Sequence, residues 1–244
     1  MIETNNDHAR DMRRIGSELL AHYMSDDWVA RALRDNARAG DQDLTCHRWI
    51  ADTPAKRLAF ALLYGDLARD GGKRVLDIGG GLSSLTRLLC ERNDYELIDL
   101  MAHDTPDQVE RFQAASPNFK LTRSDWHDAA TSGTYDVVIA SDLFPNVDQR
   151  LELFLDRMLP LAREVRFSLT LYNKPRFYIT RRVDADEILC MLAWNGHQAK
   201  DVIGRFIDRV INPNIGLFLL DKDLVYPNGR QVFLLTLRGD AESA

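Results

Sequence analysis

The chain has 244 residues, of which 45% are hydrophobic, and a formal net charge of -6. This length suits one large α/β domain or a standard domain with an extension, and the hydrophobic content supports a full core and excludes global disorder. An acidic protein repels a polyanion at long range, so we expect no nucleic acid partner.

The cysteines and the N-terminal residues bear on the cellular compartment. Cys46, Cys90 and Cys190 are too widely spaced for a zinc motif and suggest no disulfide framework, which favours reduced thiols. The segment Met1–Asp7 is polar and lacks the apolar core of a signal peptide. No apolar run approaches the ~20 residues that span a bilayer. We therefore expect a cytoplasmic protein with no membrane partner, and its oligomeric state is left open.

The first 70 residues have a helical pattern, and we expect them to form an N-terminal extension, or lid, on a domain at residues 71–244. One helix is predicted from apolar residues at helical spacing over about residues 12–23. A second helix is predicted to begin at Thr53-Pro54, because threonine suits the N-cap and proline the first turn. Its apolar stripe continues to about Arg69.

Strand and helix patterns alternate through the middle of the chain, which predicts a mostly parallel sheet covered by helices on both faces. Five strands are predicted, at Arg74–Ile78, Tyr95–Leu100, Phe119–Thr122, Tyr135–Ala140 and Val165–Leu171. The helices predicted between them are Ser84–Cys90, Asp107–Ala115 and Val147–Leu159.

A further helix is predicted after the fifth strand of this series. Asp184 and Glu187 have the spacing of a capping box at its start. Asn195-Gly196 is typical of a helix C-terminus, so the helix is predicted to end there.

The last part of the chain is predicted to complete the sheet. Ala199–Phe206 and Gln231–Arg238 have the apolar content of two more strands. The segment between them, at about 207–229, is too long for a plain hairpin loop, and we interpret it as an insertion. The predicted fold class is therefore α/β, with a Rossmann-like, mostly parallel seven-stranded sheet.

The loop after the first parallel strand is the first place to look for a ligand, because ligands of open parallel sheets lie at the carboxyl ends of the strands. Here it reads Gly79-Gly80-Gly81-Leu82-Ser83, and glycines let a ligand approach the backbone closely. The spacing Gly79-x-Gly81-x-x-Ser84 is near the dinucleotide fingerprint, which keeps a nicotinamide enzyme open as a rival. Asp77 favours a ligand with an ammonium group, because it would repel a pyrophosphate.

The run Val75-Leu76-Asp77-Ile78-Gly79-Gly80-Gly81 resembles the first motif of the class I S-adenosylmethionine-dependent methyltransferases, with Ser83 at the family's third glycine position. The resemblance covers about residues 53–238 in element order. It implies S-adenosylmethionine as the cofactor and says little about the acceptor. The residues that it implies at the methionine end and in the turn are Asp77, Gly79, Gly80, Gly81 and Ser83.

The same resemblance implies cofactor contacts at the ends of later strands. Asp99 would accept hydrogen bonds from both ribose hydroxyls, and Leu100 is an adjacent contact. Asp125 would accept from the adenine amino group, and Trp126 either flanks the ring or packs as an ordinary core residue. Ser141 would lie at the boundary between cofactor and substrate. The Asn-Pro-Pro-Tyr tetrad of amino-methylating DNA enzymes is absent, which argues against a base-methylating role.

Methyl transfer to a hydroxyl usually needs a base in addition to positioning of the nucleophile. Three residues on loops at the cofactor edge are candidates for this catalytic role: Asp142 by topology, His127 by its intrinsic pKa, and Tyr172. His103 is a fourth candidate. The segment His47-Arg48-Trp49 either faces the acceptor or packs the extension onto the domain.

We therefore predict an enzyme that transfers a methyl group from S-adenosylmethionine to a small-molecule or glycan acceptor, with oxygen preferred as the acceptor atom. Methylation of nitrogen on a small molecule or a protein is the alternative within this class. A nicotinamide-dependent oxidoreductase and a non-catalytic cofactor-binding scaffold are the rivals outside it. The spacing of His, Cys and acidic residues predicts no metal site.

Overall fold

The computed structural model describes residues 10–131, 133–181, 188–220, 225–226 and 228–242. Its strands, in chain order, are β1 (Arg13–Arg14), β2 (Arg74–Ile78), β3 (Asp94–Ile98), β4 (Lys120–Thr122), β5 (Tyr135–Phe144), β6 (Ala162–Leu171), β7 (Arg176–Arg181), β8 (Ile188–Ala193) and β9 (Gln231–Arg238). Its α-helices are α1 (Ser17–Met24), α2 (Trp28–Asp35), α3 (Thr45–Asp52), α4 (Pro54–Arg69), α5 (Ser84–Arg92), α6 (Pro106–Ala114), α7 (Leu151–Met158) and α8 (Gly196–Gly204).

Seven strands form the central sheet, in the spatial order β1-β9-β6-β5-β2-β3-β4. Strands β2 to β6 are mutually parallel, and β9 pairs antiparallel with both β6 and β1. The chain runs outward from β2 through β3 to β4 and returns to β5 on the other side of β2. The strand order therefore reverses between β2 and β5, which is where open sheets of this kind bind ligands. The predicted mostly parallel, seven-stranded sheet is confirmed.

Side-chain alternation along β2 divides the core between the two faces of the sheet. Leu76 and Ile78 are buried with side chains of α7 and α8 on one face. Val75 is buried with side chains of α4 and α5 on the other face. This two-residue period in a strand covered on both sides explains why residues facing either side of the sheet, Val75, Leu76 and Ile78, are apolar.

The predicted elements from residue 53 to residue 171 are confirmed, with shifts at their ends. Strand β2 and helix α4 have the predicted bounds, whereas β5 continues four residues beyond the predicted end, to Phe144. Thr53 occupies the N-cap position of α4, but its side chain makes no capping hydrogen bond. The N-terminal turn is therefore favoured by Pro54, which needs no amide partner.

Two predictions in the last quarter of the chain were wrong. Ile188–Ala193 is strand β8, paired with β7, and not the end of a helix, while Asp184 and Glu187 lie outside the described residues. The stretch predicted as the strand Ala199–Phe206 lies mostly in helix α8. The physical reason is at Asn195, whose side chain accepts from the Gln198 amide in a capping box and so begins a helix at Gly196 instead of ending one.

The seventh strand is β1, which lies inside the stretch predicted as a helix over about residues 12–23; the helix there, α1, begins only at Ser17. The Ile15 amide donates to the Val232 carbonyl oxygen at 2.9 Å, next to β1, and the Ile211 amide donates to the Thr236 carbonyl oxygen at 2.9 Å farther along β9. Two chain segments far apart in sequence therefore cover the same edge of β9. Within the described residues, no helix is both long and apolar enough to cross a bilayer. The division at residue 70 and the insertion at 207–229 stay predictions.

Candidate functional site

The glycine turn after β2 is held by hydrogen bonds to neighbouring loops. Gly79 and Gly81 have φ values of +69° and +66°, a conformation that glycine adopts readily. The Gly79 amide donates to the Ile98 carbonyl oxygen at 2.9 Å. Ser83 then caps α5, because its side chain accepts from the Thr86 amide at 3.3 Å. The turn thus directs the free N-terminus of α5 toward the carboxyl ends of the strands.

Asp77 lies beneath this turn. It is 2% exposed and accepts hydrogen bonds from the Tyr95 hydroxyl at 2.7 Å and the Tyr64 hydroxyl at 3.1 Å. A Cβ atom at Gly80 would overlap its carboxylate. Burial raises the pKa of Asp77 to about 7, even though the two tyrosine hydrogen bonds act in the opposite direction. A nearby positive charge would restore the ionised form.

Asp99 joins the glycine turn to the loop after β3. Its Oδ2 accepts from the Gly81 amide at 3.1 Å, and its Oδ1 accepts from the Met101 amide at 2.7 Å. Leu100, next to it, is 59% exposed and lines the same cavity as Asp99. These two hydrogen bonds fix the Asp99 carboxylate at the edge of the cavity, beside the glycine turn.

Asp125 and Trp126 belong to a network after β4. Arg150 donates to the Asp125 carboxylate at 2.7 Å, and the Trp126 indole donates to the Asp148 carboxylate at 2.7 Å. Burial raises the pKa of Asp125, but hydrogen bonds from Arg150 and the His127 amide outweigh burial. The pKa of Asp125 therefore lies below its usual range. Trp126 is 4% exposed, so most of its ring is core and one edge reaches the cavity.

Asp142 sits on an irregular part of β5. The register with β6 shifts between Ala140 and Phe144, and Asp142 has a φ of +59°. Its carboxylate accepts hydrogen bonds from both Lys56 and Arg230. Burial raises the pKa of Asp142, but the two cations outweigh it and hold the pKa well below its usual range. This carboxylate is therefore firmly ionised and is a weak base.

These groups line one cavity of about 760 Å³ at the carboxyl ends of β2, β3, β5 and β6. Small-molecule sites have volumes of roughly 300–1,000 Å³. Helices α3 and α4 cover the cavity with Trp49, Ile50 and Lys56. The Trp49 ring meets the His103 ring edge-on with centroids 4.9 Å apart, and the Lys56 ammonium lies 5.1 Å from the Trp49 centroid.

Most of the predicted site residues line this cavity, namely Asp77, Gly79, Gly80, Ser83, Asp99, Leu100, Asp125, Trp126, Ser141 and Asp142. Gly81 lies in the same turn but faces Cys46, whose Sγ would overlap a Cβ there. Two predicted catalytic residues are not among the described lining residues. The His127 side chain is 45% exposed and pairs with Asp128, and Tyr172 is buried beneath Arg176.

The fourth base candidate, His103, and the predicted lid segment His47-Arg48-Trp49 lie in different places. His103 and Trp49 line the cavity. His47 lies against the N-terminus of α5, where its Nδ1 is 3.4 Å from the Ser84 amide, and Arg48 donates to the Asp43 carbonyl oxygen at 2.6 Å. Among the described residues, no group of three or more His, Cys, Asp or Glu is arranged to hold a metal ion.

Sequence reasoning missed the two cations at Asp142 and the apolar residues beside them. Lys56 lies in the first turn of α4, and Arg230 lies just before β9. Tyr226 and Met191 also line the cavity. Neither cation belongs to a motif, and each is far from Asp142 in sequence, so no local pattern could have identified them.

The fold is shared with several solved structures. DhpI in its complex with S-adenosyl-L-homocysteine (SAH) is 16% identical to this chain and has a TM-score of 0.51. The match covers 90% of this chain and 99% of DhpI. The 1,6-didemethyltoxoflavin-N1-methyltransferase of Burkholderia thailandensis is 16% identical, with coverage of 99% and 98% and a TM-score of 0.50. The N-methyltransferase NodS of Bradyrhizobium japonicum WM9, bound to SAH, is 13% identical and has a TM-score of 0.50. The match covers 87% of this chain and 99% of NodS.

No protein-family model matches this sequence, and no curated protein sequence matches it. At the identities above, structural likeness establishes the fold. The chain has the fold of the class I S-adenosylmethionine-dependent methyltransferases, as its glycine turn and element order predicted.

Proposed function

We propose that the protein transfers a methyl group from S-adenosylmethionine to a small-molecule acceptor. The observation that carries this proposal is that the glycine turn, Asp99 and Asp125 line a single cavity at the point where the strand order reverses. These residues follow β2, β3 and β4 in turn, which suits an elongated ligand laid across three strand ends. The cavity continues past them to Asp142, which leaves room for an acceptor beside the cofactor.

The donor and acceptor groups of this cavity fit the cofactor. A side chain at Gly80 would overlap Asp77, and one at Gly81 would overlap Cys46, so the turn forms a cradle that only glycine leaves open. Asp99 would accept from the ribose hydroxyls and Asp125 from the adenine amino group, with Leu100 and Trp126 against the adenosine and Ser141 beside the reacting end. Asp77, neutral or ionised near pH 7, would be stabilised in its charged form by the cationic methionine end.

We propose that Lys56 binds the carboxylate of the methionine end. Its ammonium lies against Trp49, which in turn meets His103 on the loop after β3. This places the cation over the half of the cavity that contains Asp99. Residues 1–70 would then act as the lid, since Cys46, Trp49 and Lys56 all line the cavity.

The cofactor supplies an activated methyl group, so the chain's own task is to position the nucleophile and exclude water. The oxygen preference depended on a base, yet Asp142 is ion-paired with two cations, and His127 and Tyr172 are not among the described lining residues. We therefore propose a neutral nitrogen, which needs no base before attack, as the acceptor atom. An oxygen acceptor with His103 as the base is the second candidate, because His103 does line the cavity.

Calorimetric titration of the purified protein with S-adenosylmethionine, SAH and NAD tests the proposed function. We expect both adenosyl sulfur compounds to bind and NAD to give no heat. Binding of NAD with no response to the other two would overturn the proposal in favour of a nicotinamide enzyme.

Methyl-labelled cofactor and a panel of heteroaromatic amines and phenols would separate the two acceptor atoms. The nitrogen proposal predicts labelled amine products in the wild type and in His103→Gln alike. Labelled phenol products that disappear in His103→Gln would instead support the oxygen candidate.

A further inference from the structure

Arg230 reaches the cavity from the start of β9, beside the carboxyl end of β6. It lies directly before β9, and its Nη2 donates to the Asp142 carboxylate and to the Thr170 hydroxyl at the end of β6, the latter at 3.2 Å. The side chain is 16% exposed and lines the cavity. Its guanidinium also lies 5.1 Å from the centroid of the Tyr226 ring.

The hydrogen-bonding capacity of this guanidinium is not used up. Its Nε atom is buried and has no hydrogen-bond partner among the described residues. Within this pair Asp142 accepts from Nη2, and it already has Lys56 as a second cation. In the proposed function Lys56 serves the cofactor carboxylate, so Arg230 balances Asp142, and its N–H groups beyond Nη2 are what it offers to a ligand.

The two cations at Asp142 have different neighbours. Lys56 lies against Trp49, over the loop that follows β3. Arg230 lies beside Tyr226 and the end of β6, and Met191 of β8 also lines the cavity. In the proposed function the cofactor lies beside Lys56, so Arg230 is assigned to the acceptor.

We propose that Arg230 binds a carboxylate group on the methyl acceptor, which is a small aromatic or apolar acid. This inference rests on the proposed function. Because Nη2 already donates to Asp142 and Thr170, such a carboxylate would accept charge-assisted hydrogen bonds from the other N–H groups of this guanidinium. Asp142 lies beside the same guanidinium and repels a phosphate dianion more strongly than a carboxylate monoanion. Tyr226 and Met191 supply the apolar surface against which the body of such an acid packs.

Binding of three benzene derivatives to the SAH-loaded protein tests this assignment by ligand-observed NMR titration. Benzoate has the proposed anion, benzamide is its neutral analogue of similar shape, and phenyl phosphate has a dianion. We expect benzoate to bind roughly tenfold or more tightly than benzamide, as the loss of a charge-assisted hydrogen bond implies. We also expect it to bind more tightly than phenyl phosphate.

Arg230→Gln should weaken benzoate binding roughly tenfold or more, while SAH affinity stays within about threefold of the wild type. The matched control is Arg205→Gln, which removes a 65% exposed guanidinium paired with Glu152 at the surface and should change neither. Lys56→Gln should show the opposite pattern, with weaker SAH binding. If Arg230→Gln does not fold, Arg230→Lys keeps the positive charge but lacks the planar guanidinium, and it should give an intermediate benzoate affinity.

Equal binding of benzoate and benzamide to the wild type would overturn the proposal, and so would unchanged benzoate affinity in Arg230→Gln. Tighter binding of phenyl phosphate would overturn the choice of a carboxylate. Absence of SAH binding to the wild type would be a failure of the proposed function instead, so the two failures are distinguishable.

Discussion

Asp99→Ala is the sharpest test of how the cavity holds an adenosyl ligand. In the free protein the two carboxylate oxygens accept from the Gly81 and Met101 amides at 3.1 and 2.7 Å, which hold the carboxylate at the edge of the cavity. Loss of charge-assisted hydrogen bonds to the ribose should weaken binding by about 1–3 kcal/mol. This corresponds to a rise in the dissociation constant of roughly 5- to 150-fold.

Asp99→Asn should have a smaller effect, because the amide keeps one acceptor oxygen and loses the other to a donor group. Calorimetric titration with SAH gives the dissociation constants, and Glu110→Gln on the exposed side of α6 is the matched loss of a carboxylate outside the cavity. If Asp99→Ala binds SAH as tightly as Glu110→Gln does, the ribose lies elsewhere and the reasoning is refuted.

Three further substitutions test the packing and the charges around the site. Gly81→Ala combines a φ of +66° with an overlap against Cys46, whereas a Cβ at Gly72, where φ is +72°, meets no atom within 4 Å. Gly81→Ala should therefore lower the free energy of unfolding in guanidinium by about 1–3 kcal/mol more than Gly72→Ala does. Equal losses would contradict this packing. Burial raises the pKa of Asp77 from 3.8 to about 7, so between these pH values the folded state binds more protons than the unfolded state. The Asp77 carboxyl therefore lowers the stability of the fold progressively as pH rises through that window. The stability of Asp77→Asn should therefore fall less steeply than that of the wild type from pH 4 to 7, by up to ~1.4 kcal/mol per pH unit, and parallel curves would show that Asp77 has an ordinary pKa. Arg166→Met removes a 4% exposed guanidinium from two carboxylate partners and should lower the free energy of unfolding in urea by about 3–5 kcal/mol, while a loss below about 1 kcal/mol would mean that these carboxylates are solvated.

Local patterns were sufficient where an element's own sequence decides its structure. Strand β2 has a short apolar run interrupted only by Asp77 and is followed at once by glycines, so both its bounds and the turn after it could be predicted. Local patterns failed where a tertiary partner decides. The apolar stretch Ile188–Ala193 suits a helix or a strand equally, and its pairing with β7 makes it a strand. Asn195-Gly196 fits either end of a helix, and the capping hydrogen bond with Gln198 decides in favour of a start.

The sequence by itself determined the class of fold and the position of the glycine turn, with Asp77, Asp99 and Asp125 at the ends of successive parallel strands. Such residues can be found because parallel topology brings every strand's carboxyl end to one edge of the sheet. Only the tertiary structure decided that β1 closes the sheet and that Lys56 and Arg230 meet at Asp142. These contacts join segments that are far apart in the chain. They form only when the chain folds, so no local sequence pattern can predict them.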